Sequence, residues 1–478
     1  MKVVRSGSML IINHISDPHA SELYLEIWNQ LKKRGHEIRY ITESSIIIKF
    51  LSGHDINVHN LRIPFEQHYE RYRTMDLEAL KRTGESNYSG ISLDYLTKAD
   101  LVLCDRPPEH RYRITLAYLD AWKEYLASTG PDLIASSDAT EVVNVCYGEL
   151  AEKMGIPVMY SNYACVFKKR MFWDRSIMIN TWVNRSLIDQ DMNEKDRGFV
   201  EEYIDNMISR KPMIGFEPRK PLNIDSIIRS KNFFVNCIIG EEQRSRYFNL
   251  IDSIRFGFYG LARRPVLKGY YIEPDLDVPF VLFPLHVPYD AQVTFRGSEF
   301  RDQAETARRI AEAMPDGYLL YVKPHPHSVG HFPFKWLKKL SKISSVRIID
   351  PNFSAHTLVE HCKAVVTINS DVGWEALMYG KPVVVLARPF YSRLGYTIDV
   401  DDINKLNEYL RTALDQKPIP REKMIKLVNT VYGSTVAGSF FTPEWEFDSS
   451  EENVKDVVDG MIASYRKLYN RYHQASIQ

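Results

Sequence analysis

The second half of the chain alternates short apolar runs with amphipathic segments, and this alternation limits the fold more than any other feature. Strands are predicted at five places: Pro279 to Leu285, Tyr318 to Val322, Val346 to Ile349, Ala364 to Ile368 and Val383 to Leu386. A helical pattern separates each of these strands from the next. Successive strand–helix–strand steps require right-handed crossovers, so we expect a doubly wound parallel sheet.

The first half shows the same pattern with less regularity. A strand at Met9 to Asn13, a helix at Ser21 to Lys33 and a strand at Ile38 to Ile41 form a β-α-β unit, which implies another parallel sheet. Further strands are predicted at Leu101 to Cys104 and Leu133 to Ser136. Because 478 residues are too many for one ordinary hydrophobic core, two domains are expected.

We therefore predict an α/β protein with two facing Rossmann-like domains. Residues 1–262 would form the first domain with a connector, and residues 263–445 would form the second domain. Residues 446–478 would form a C-terminal helix that is able to pack back on the first domain.

The charge balance, the cysteine pattern and the motifs that the sequence lacks exclude several classes of function and indicate a cellular compartment. The 61 basic residues balance the 61 acidic residues, which argues against a dedicated nucleic-acid binder. Five cysteines without a C-x-x-C pair indicate a reducing compartment. Without a signal-peptide pattern or an apolar run long enough to cross a bilayer, the chain is expected to be cytoplasmic. The basic and aromatic stretch Phe167 to Trp173 would suit either a peripheral contact with the inner face of the cell membrane or a solvated loop. The absence of G-x-G-x-x-G and Walker motifs predicts no bound cofactor.

The first candidate binding loop follows the strand Tyr318 to Val322. Lys323 and His325 lie there, and two prolines, Pro324 and Pro326, restrict the backbone around the histidine. An imidazole or ammonium held in this position can stabilise the phosphate of a leaving nucleotide. The alternatives are a rigid, solvent-exposed turn, or a metal site built from His325, His327 and His331. No clustered carboxylate or cysteine joins these histidines, so no metal is predicted.

The second candidate is the start of the helix after Ala364 to Ile368. Ser370 stands at an N-cap position, and the free N–H groups of a helix start bind anions. Asp371 follows it, Gly373 would let a ligand approach closely, and Glu375 could accept hydrogen bonds from ribose or sugar hydroxyls. The alternative is an ordinary capped helix whose acidic residues complement the dipole.

Two further pairs of residues are candidates. Asp290 and Gln292 follow the strand Pro279 to Leu285 and could orient a sugar or nucleotide, although capping of a loop is an equal alternative. Asp138 and Glu141 lie at the start of a predicted helix in the first half. Their spacing is typical of a capping box, but either one could be the general base that activates an acceptor hydroxyl.

Together these motifs resemble the capsule polysaccharide biosynthesis family, which includes the Kdo transferases that build capsule linkers. The resemblance rests on Phe283 to His286 with Asp290 and Gln292, Lys323 to Pro326, Asn369 to Leu377, Gly380 to Leu386, and Phe390-Tyr391. It implies a GT-B fold in which His325, Pro326 and Ser370 bind the nucleotide phosphate. Where the family has a second hydroxyl residue, this chain has Asp371. The family's acidic motif in the first domain has no counterpart at 161–167, so Asp138 and Glu141 remain the candidate bases.

The predicted activity is metal-independent transfer of a sugar from a nucleotide-activated donor to a surface or capsular polysaccharide, or to a lipid-linked glycan. Three alternatives remain open at this point. The first two are a nucleotide-sugar epimerase and a CDP-polyol phosphotransferase of the same fold. The third is a non-catalytic subunit that binds glycan or nucleotide within a polysaccharide assembly complex.

Overall fold

The chain folds into two compact α/β units. The computed structural model describes residues 8–209 and 267–475, except for 16, 99, 101–102, 138–140, 165, 177–179, 181, 289, 329–331 and 443–445. Of these, residues 8–176 and 435–475 form the first unit, and residues 180–209 and 267–434 form the second. The second unit thus includes a segment that the predicted domain 1–262 assigns to the first.

The first unit contains a sheet flanked by helices. Its elements are β1 (Leu10–His14), α1 (Ser21–Lys33), β2 (Glu37–Thr42), α2 (Ser45–Ser52), β3 (Val58–Asn60), α3 (Arg62–Tyr72), α4 (Leu77–Asn87), α5 (Leu93–Lys98), α6 (Pro108–Thr129), β4 (Leu133–Ser137), α7 (Val142–Met154), β5 (Val158–Tyr163), β6 (Arg170–Asp174), β13 (Val436–Ala437) and α16 (Glu451–Ala475). The strand order is β13-β6-β5-β4-β1-β2-β3. All neighbouring strands are parallel except β5–β6 and β6–β13.

The second unit contains a sheet whose strands are all parallel. Its elements are α8 (Glu194–Ile208), β7 (Phe280–Pro284), α9 (Ala291–Thr294), α10 (Gln303–Ala313), β8 (Leu319–Lys323), α11 (Phe334–Leu340), β9 (Val346–Ile348), α12 (Ala355–His361), β10 (Ala364–Thr367), α13 (Asp371–Met378), β11 (Val383–Val385), β12 (Ile398–Asp399), α14 (Leu406–Asp415) and α15 (Arg421–Gly433). The strand order is β12-β11-β10-β7-β8-β9. The predicted fold class, α/β with doubly wound parallel sheets, is confirmed.

In the second unit, a buried strand forms the centre of the core and polar contacts attach the helix α8. In the second unit, β7 is fully buried from Phe280 to Pro284, as expected for a strand that is covered on both faces. The helix α8 joins this unit because the Trp374 indole N–H donates to the Tyr203 hydroxyl at 2.9 Å and Arg197 pairs with Glu422. These contacts are between residues distant in sequence, so local periodicity could not show them.

The last helix packs on the first unit. In α16, Val454, Val457, Val458 and Met461 are buried in the same apolar cluster as Leu23 of α1. Ion pairs from Lys33 to Glu451 and from Arg34 to Asp459 lie beside this cluster. Within the described part of the chain, no helix has the length and hydrophobicity needed to cross a bilayer.

One predicted strand is wrong. Residues Leu103–Asp105 form a turn of 3-10 helix, although a strand was predicted at Leu101 to Cys104. The carboxylate of Asp100 accepts hydrogen bonds from the backbone N–H groups of Leu103 and Val142. This side-chain bonding competes with a strand ladder.

Candidate functional site

Three loops of the second unit follow adjacent strands at the carboxyl edge of its sheet. These strands are β10, β7 and β8, in that spatial order. From β7 the chain builds β8 and β9 on one side and then crosses to build β10, β11 and β12 on the other. The connection therefore reverses direction between β7 and β10. In open α/β sheets, ligands bind outside the carboxyl ends of the strands at such a switch point.

His286 connects two of these loops. It comes two residues after β7 and is only 7% exposed. Its Nε2 atom accepts a hydrogen bond of 3.2 Å from the backbone N–H of Asn369, in the loop after β10. Burial lowers the pKa of His286 to about 4; Asp290 opposes this decrease and His325, in the loop after β8, adds to it. The same imidazole thus interacts with groups from all three loops.

The loop after β10 leads into α13, and Ser370 is its N-cap. The Ser370 hydroxyl accepts a hydrogen bond from the N–H of Val372 at 3.2 Å, and the Ser370 N–H donates to the Thr367 hydroxyl at 2.9 Å. Asp371 is exposed at the first position of the helix. The helix start therefore lies at the switch point, with capping by Ser370 as its observed local role.

Gly373 has a packing role that the sequence did not reveal. A Cβ atom added to this glycine would lie 2.2 Å from the hydroxyl oxygen of Tyr391, which is fully buried. The Tyr391 hydroxyl donates to the carbonyl oxygen of Ser370. Tyr391 occupies the space on the side where a Cβ of residue 373 would stand, and the ligand contact predicted for Gly373 stays a prediction.

The loop after β8 places one cation inside the protein and one imidazole outside. Lys323 is 7% exposed, and its ammonium donates to the Pro351 carbonyl oxygen at 2.9 Å. Burial lowers the pKa of Lys323, while Asp350 and Glu375 act in the opposite direction. His325 and Pro326 are exposed, and the His325 carbonyl oxygen accepts hydrogen bonds from Ser328. The imidazole of His325 is thus accessible, whereas the ammonium of Lys323 is a buried charge.

Glu375 interacts electrostatically with Asp371, next to the loop after β10, and with Lys323, next to the loop after β8. Burial raises the pKa of Glu375 to about 8; Asp371 raises it further and Lys323 lowers it. A carboxyl group with this pKa is mostly protonated at neutral pH, so it can donate as well as accept a hydrogen bond.

Asp290 and Gln292 have different surroundings. Asp290 caps the short helix α9, since its carboxylate accepts from the Gln292 N–H at 2.9 Å. The backbone carbonyl oxygen of Gln292 accepts a hydrogen bond from the Asn369 side-chain amide at 2.8 Å. The side-chain oxygen of Gln292 is buried and has no hydrogen-bond partner among the described residues. The capping alternative is thus observed for Asp290, whereas Gln292 retains an unused acceptor.

The metal interpretation of the histidine-rich loop stays untested. No group of three potential metal ligands occurs among the residues that the structure describes. His331 and the side chain of His327 lie outside those residues.

Part of the second unit is similar to a known protein family. Residues 273–418 match the family model described as capsule polysaccharide biosynthesis protein. Over these residues, the chain is similar to the capsule polysaccharide biosynthesis family. The family segment contains β7, β8, β10 and α13, and thus all three loops of the switch point. The predicted resemblance is confirmed.

Known relatives are partial matches. The lipopolysaccharide-processing protein LpsZ of Rhizobium meliloti is 25% identical over 186 residues, which are 39% of this chain and 41% of LpsZ. Protein FixF of Sinorhizobium fredii is 30% identical over 242 residues, or 50% of this chain and 55% of FixF. The chain therefore spans about half the length of these relatives. Among solved structures, the beta Kdo 2,7 transferase KpsC of Thermosulfurimonas dismutans is 15% identical, with a TM-score of 0.34, over 71% of this chain and 88% of that one.

The first unit, outside the family segment, has its own switch point between β1 and β4. His14 ends β1, and its Nδ1 atom lies 2.8 Å from the Asn144 side-chain oxygen. The Asn144 amide donates to Glu141 at 3.1 Å. Glu141 is the exposed N-cap of α7 without a side-chain capping bond, so it is not the third helical residue of the predicted capping box. Asp138 lies outside the described residues.

Glu43 is a candidate that the sequence did not indicate. It follows β2 directly and accepts a hydrogen bond from the Tyr118 hydroxyl at 2.9 Å. Burial raises the pKa of Glu43 to about 7; the Tyr118 hydrogen bond opposes this increase, and the nearby Glu141 carboxylate adds to it. A carboxylate followed by a helix start has no distinctive local pattern, and only the sheet order brings Glu43 near Glu141.

Proposed function

We propose that the chain is a metal-independent glycosyltransferase that uses a nucleotide-activated sugar to extend or modify a surface polysaccharide or lipid-linked glycan. One observation carries the proposal. Within the family segment, the loops after β7, β8 and β10 interact through His286 at the switch point of a parallel sheet. This is where a doubly wound sheet binds a phosphorylated ligand.

The second unit supplies groups suited to a leaving nucleotide. When the bond between the anomeric carbon and the phosphate oxygen breaks, negative charge grows on the phosphate. The exposed imidazole of His325, the buried charge of Lys323 and the start of α13 at Ser370 would stabilise that charge. Lys323 and Ser370 are fixed by hydrogen bonds before the ligand arrives, so these two groups require little reorganisation.

The first unit supplies candidate bases for the acceptor. The acceptor hydroxyl would attack the anomeric carbon and pass its proton to a carboxylate. Glu43, with a pKa near neutrality, is the better candidate on physical grounds, because a general base is most effective when its pKa is close to the working pH. Glu141 is near enough to Glu43 to influence its protonation, and Asp138 stays a candidate from sequence alone.

A thermal-shift screen with CMP, CDP, UDP and GDP tests the donor site. The nucleotide of the true donor should raise the melting temperature, since a ligand that binds only the folded state stabilises it. His325→Ala should abolish that rise. His361→Ala is a matched control, because His361 is an exposed histidine of the same unit at the end of α12. An unchanged shift in His325→Ala would contradict the phosphate role.

Product analysis then separates transfer from the alternatives. A transferase needs both a nucleotide sugar and an acceptor. Conversion of the nucleotide sugar alone into an isomer would identify an epimerase, and transfer of a polyol phosphate from a CDP donor would identify the phosphotransferase. Binding of nucleotide without turnover on any acceptor would favour a non-catalytic subunit.

A further inference from the structure

His286 is held in a single orientation by three hydrogen bonds. Its backbone N–H donates to the side-chain oxygen of Gln303 at 2.8 Å, and its carbonyl oxygen accepts from the Gln303 amide at 3.1 Å. Gln303 itself is fully buried. The third bond joins the imidazole Nε2 to the N–H of Asn369. Both the backbone and the ring of His286 are therefore fixed before any ligand binds.

The bond to Asn369 determines where the imidazole carries its proton. A backbone N–H can only donate, so Nε2 is an acceptor and has no proton. In a neutral imidazole the proton is then on Nδ1, which becomes a hydrogen-bond donor. Among the described residues, none accepts a hydrogen bond from Nδ1. The ring thus has one nitrogen bound to the protein and one N–H that is not used by it.

Burial keeps the His286 ring neutral. Asp290, the N-cap of α9, favours the protonated ring, whereas His325 disfavours it, and burial outweighs both. A neutral donor of this kind can bind an anionic oxygen without the large cost of burying a charge. It also keeps its hydrogen-bonding pattern throughout the neutral pH range.

Two unpaired oxygens near His286 point to a polar ligand. The side-chain oxygens of Asn369 and Gln292 are buried without a partner among the described residues, and Asn369 is only 4% exposed. The two residues are linked, since the Asn369 amide donates to the Gln292 carbonyl oxygen. An unsatisfied buried acceptor is costly unless a ligand or an ordered water donates to it.

We propose that His286 binds the donor directly, with its Nδ1–H donating to a phosphate oxygen of the nucleotide sugar. The Asn369 and Gln292 side-chain oxygens would accept from hydroxyl groups of the same ligand. This inference rests on the proposed function, and it assigns the neutral hydrogen-bond donor of the site to the loop after β7. A ligand with both phosphate oxygens and hydroxyl groups matches this combination of one donor and two acceptors.

Two substitutions test the two ring nitrogens of His286 independently. The terminal amide of His286→Gln reaches the position of Nε2, so it can still accept from the Asn369 N–H but loses the Nδ1–H donor. The shorter His286→Asn places an amide near Nδ1 and loses the bond to Asn369. Isothermal titration with CMP, CDP, UDP and GDP, and melting temperatures without ligand, are measured for both variants and the unchanged protein.

The two variants should lose different properties: His286→Gln should lose nucleotide affinity, and His286→Asn should lose thermal stability. His286→Gln should melt close to the unchanged protein but bind the preferred nucleotide about tenfold or more weakly, which corresponds to about 1.4 kcal/mol. His286→Asn should melt at a lower temperature and keep more of the affinity per folded molecule. If His286→Gln binds with unchanged affinity, the imidazole only joins the two loops and the inference is overturned.

Nitrogen NMR on histidine-labelled protein gives a readout that a purely structural role would not change. The His286 ring should show a protonated Nδ1 and an unprotonated Nε2 at pH 7, and the Nδ1 resonance should shift when the preferred nucleotide is added. The opposite tautomer would overturn the inference even if nucleotide binds. If none of the four nucleotides binds the unchanged protein, the proposed function fails and this inference fails with it.

Discussion

Each unit has a buried neutral histidine at the end of the strand where its sheet reverses direction, but the groups around the two histidines differ. His14 ends β1 and His286 follows β7, and each of these strands is the one at which its sheet reverses direction. Burial lowers the pKa of both rings to about 4. The rings of Trp122 and Tyr147 pack around His14, whereas His286 lies among polar loops. Burial alone therefore does not indicate function, since the groups around each ring decide whether a hydrogen-bond donor remains for a ligand.

A second parallel concerns the helix that follows the neighbouring strand at each switch point, which is β4 beside β1 in the first unit and β10 beside β7 in the second. In α7 a Cβ added to Gly148 would lie 2.2 Å from the Tyr160 hydroxyl oxygen, and in α13 one added to Gly373 would lie equally close to that of Tyr391. Both tyrosines are buried. Each glycine therefore lets a tyrosine pack against its helix, and only Tyr391 also bonds the Ser370 carbonyl oxygen.

The largest expected effect comes from filling these two positions. Gly148→Ala and Gly373→Ala should each lower the free energy of unfolding by about 1–3 kcal/mol, because a buried tyrosine must move. Gly373→Ala should also weaken nucleotide binding, since Tyr391 then loses its bond at the start of α13. Gly148→Ala should leave the affinity unchanged. Urea denaturation and titration with the preferred nucleotide measure the two quantities.

Gly198→Ala is the control for this pair. It lies in α8, and no atom is within 4 Å of an added Cβ, so stability should be unchanged or slightly higher. Equal losses of affinity in Gly148→Ala and Gly373→Ala would contradict the assignment of the nucleotide to the second unit.

A smaller effect is expected from the two carboxyl groups with raised pKa values, Glu43 at about 7 and Glu375 at about 8. A raised carboxyl pKa stabilises the fold below the unfolded value near 4.5, and this contribution is lost as the pH rises towards the folded value. Glu375→Gln should therefore flatten the decrease in melting temperature between pH 5 and pH 8. It should also change nucleotide affinity, whereas Glu43→Gln should leave that affinity unchanged.

Activity distinguishes the roles of the same two residues. If Glu43 is the acceptor base, Glu43→Gln should lower kcat by about 100-fold or more and remove the rise in rate as the pH passes through 7. Glu375→Gln should keep that rise. A Glu43→Gln enzyme with an unchanged pH profile would exclude Glu43 as the base.

The sequence predicted the features that depend on local pattern. The five strands of the second half and the N-cap role of Ser370 all appear in the structure, because apolar periodicity and capping are properties of neighbouring residues. The family motifs also located the three loops. The contacts between loops were not predictable, since the bond from Asn369 to His286 joins residues 83 positions apart. Glu43 was missed for the same reason: its significance depends on Tyr118 and Glu141, which other strands and helices bring near it.

Hydrogen–deuterium exchange of the whole chain, with and without the preferred nucleotide, shows which of the two units binds the nucleotide. We expect slower exchange in peptides that cover residues 283–292, 323–328 and 369–376, which contain the three loops of the second unit. Peptides that cover residues 136–150, at the switch point of the first unit, should exchange at the same rate in both samples. Protection confined to residues 136–150, or bound nucleotide without protection of the three loops, would show that the nucleotide does not bind at the switch point of the second unit.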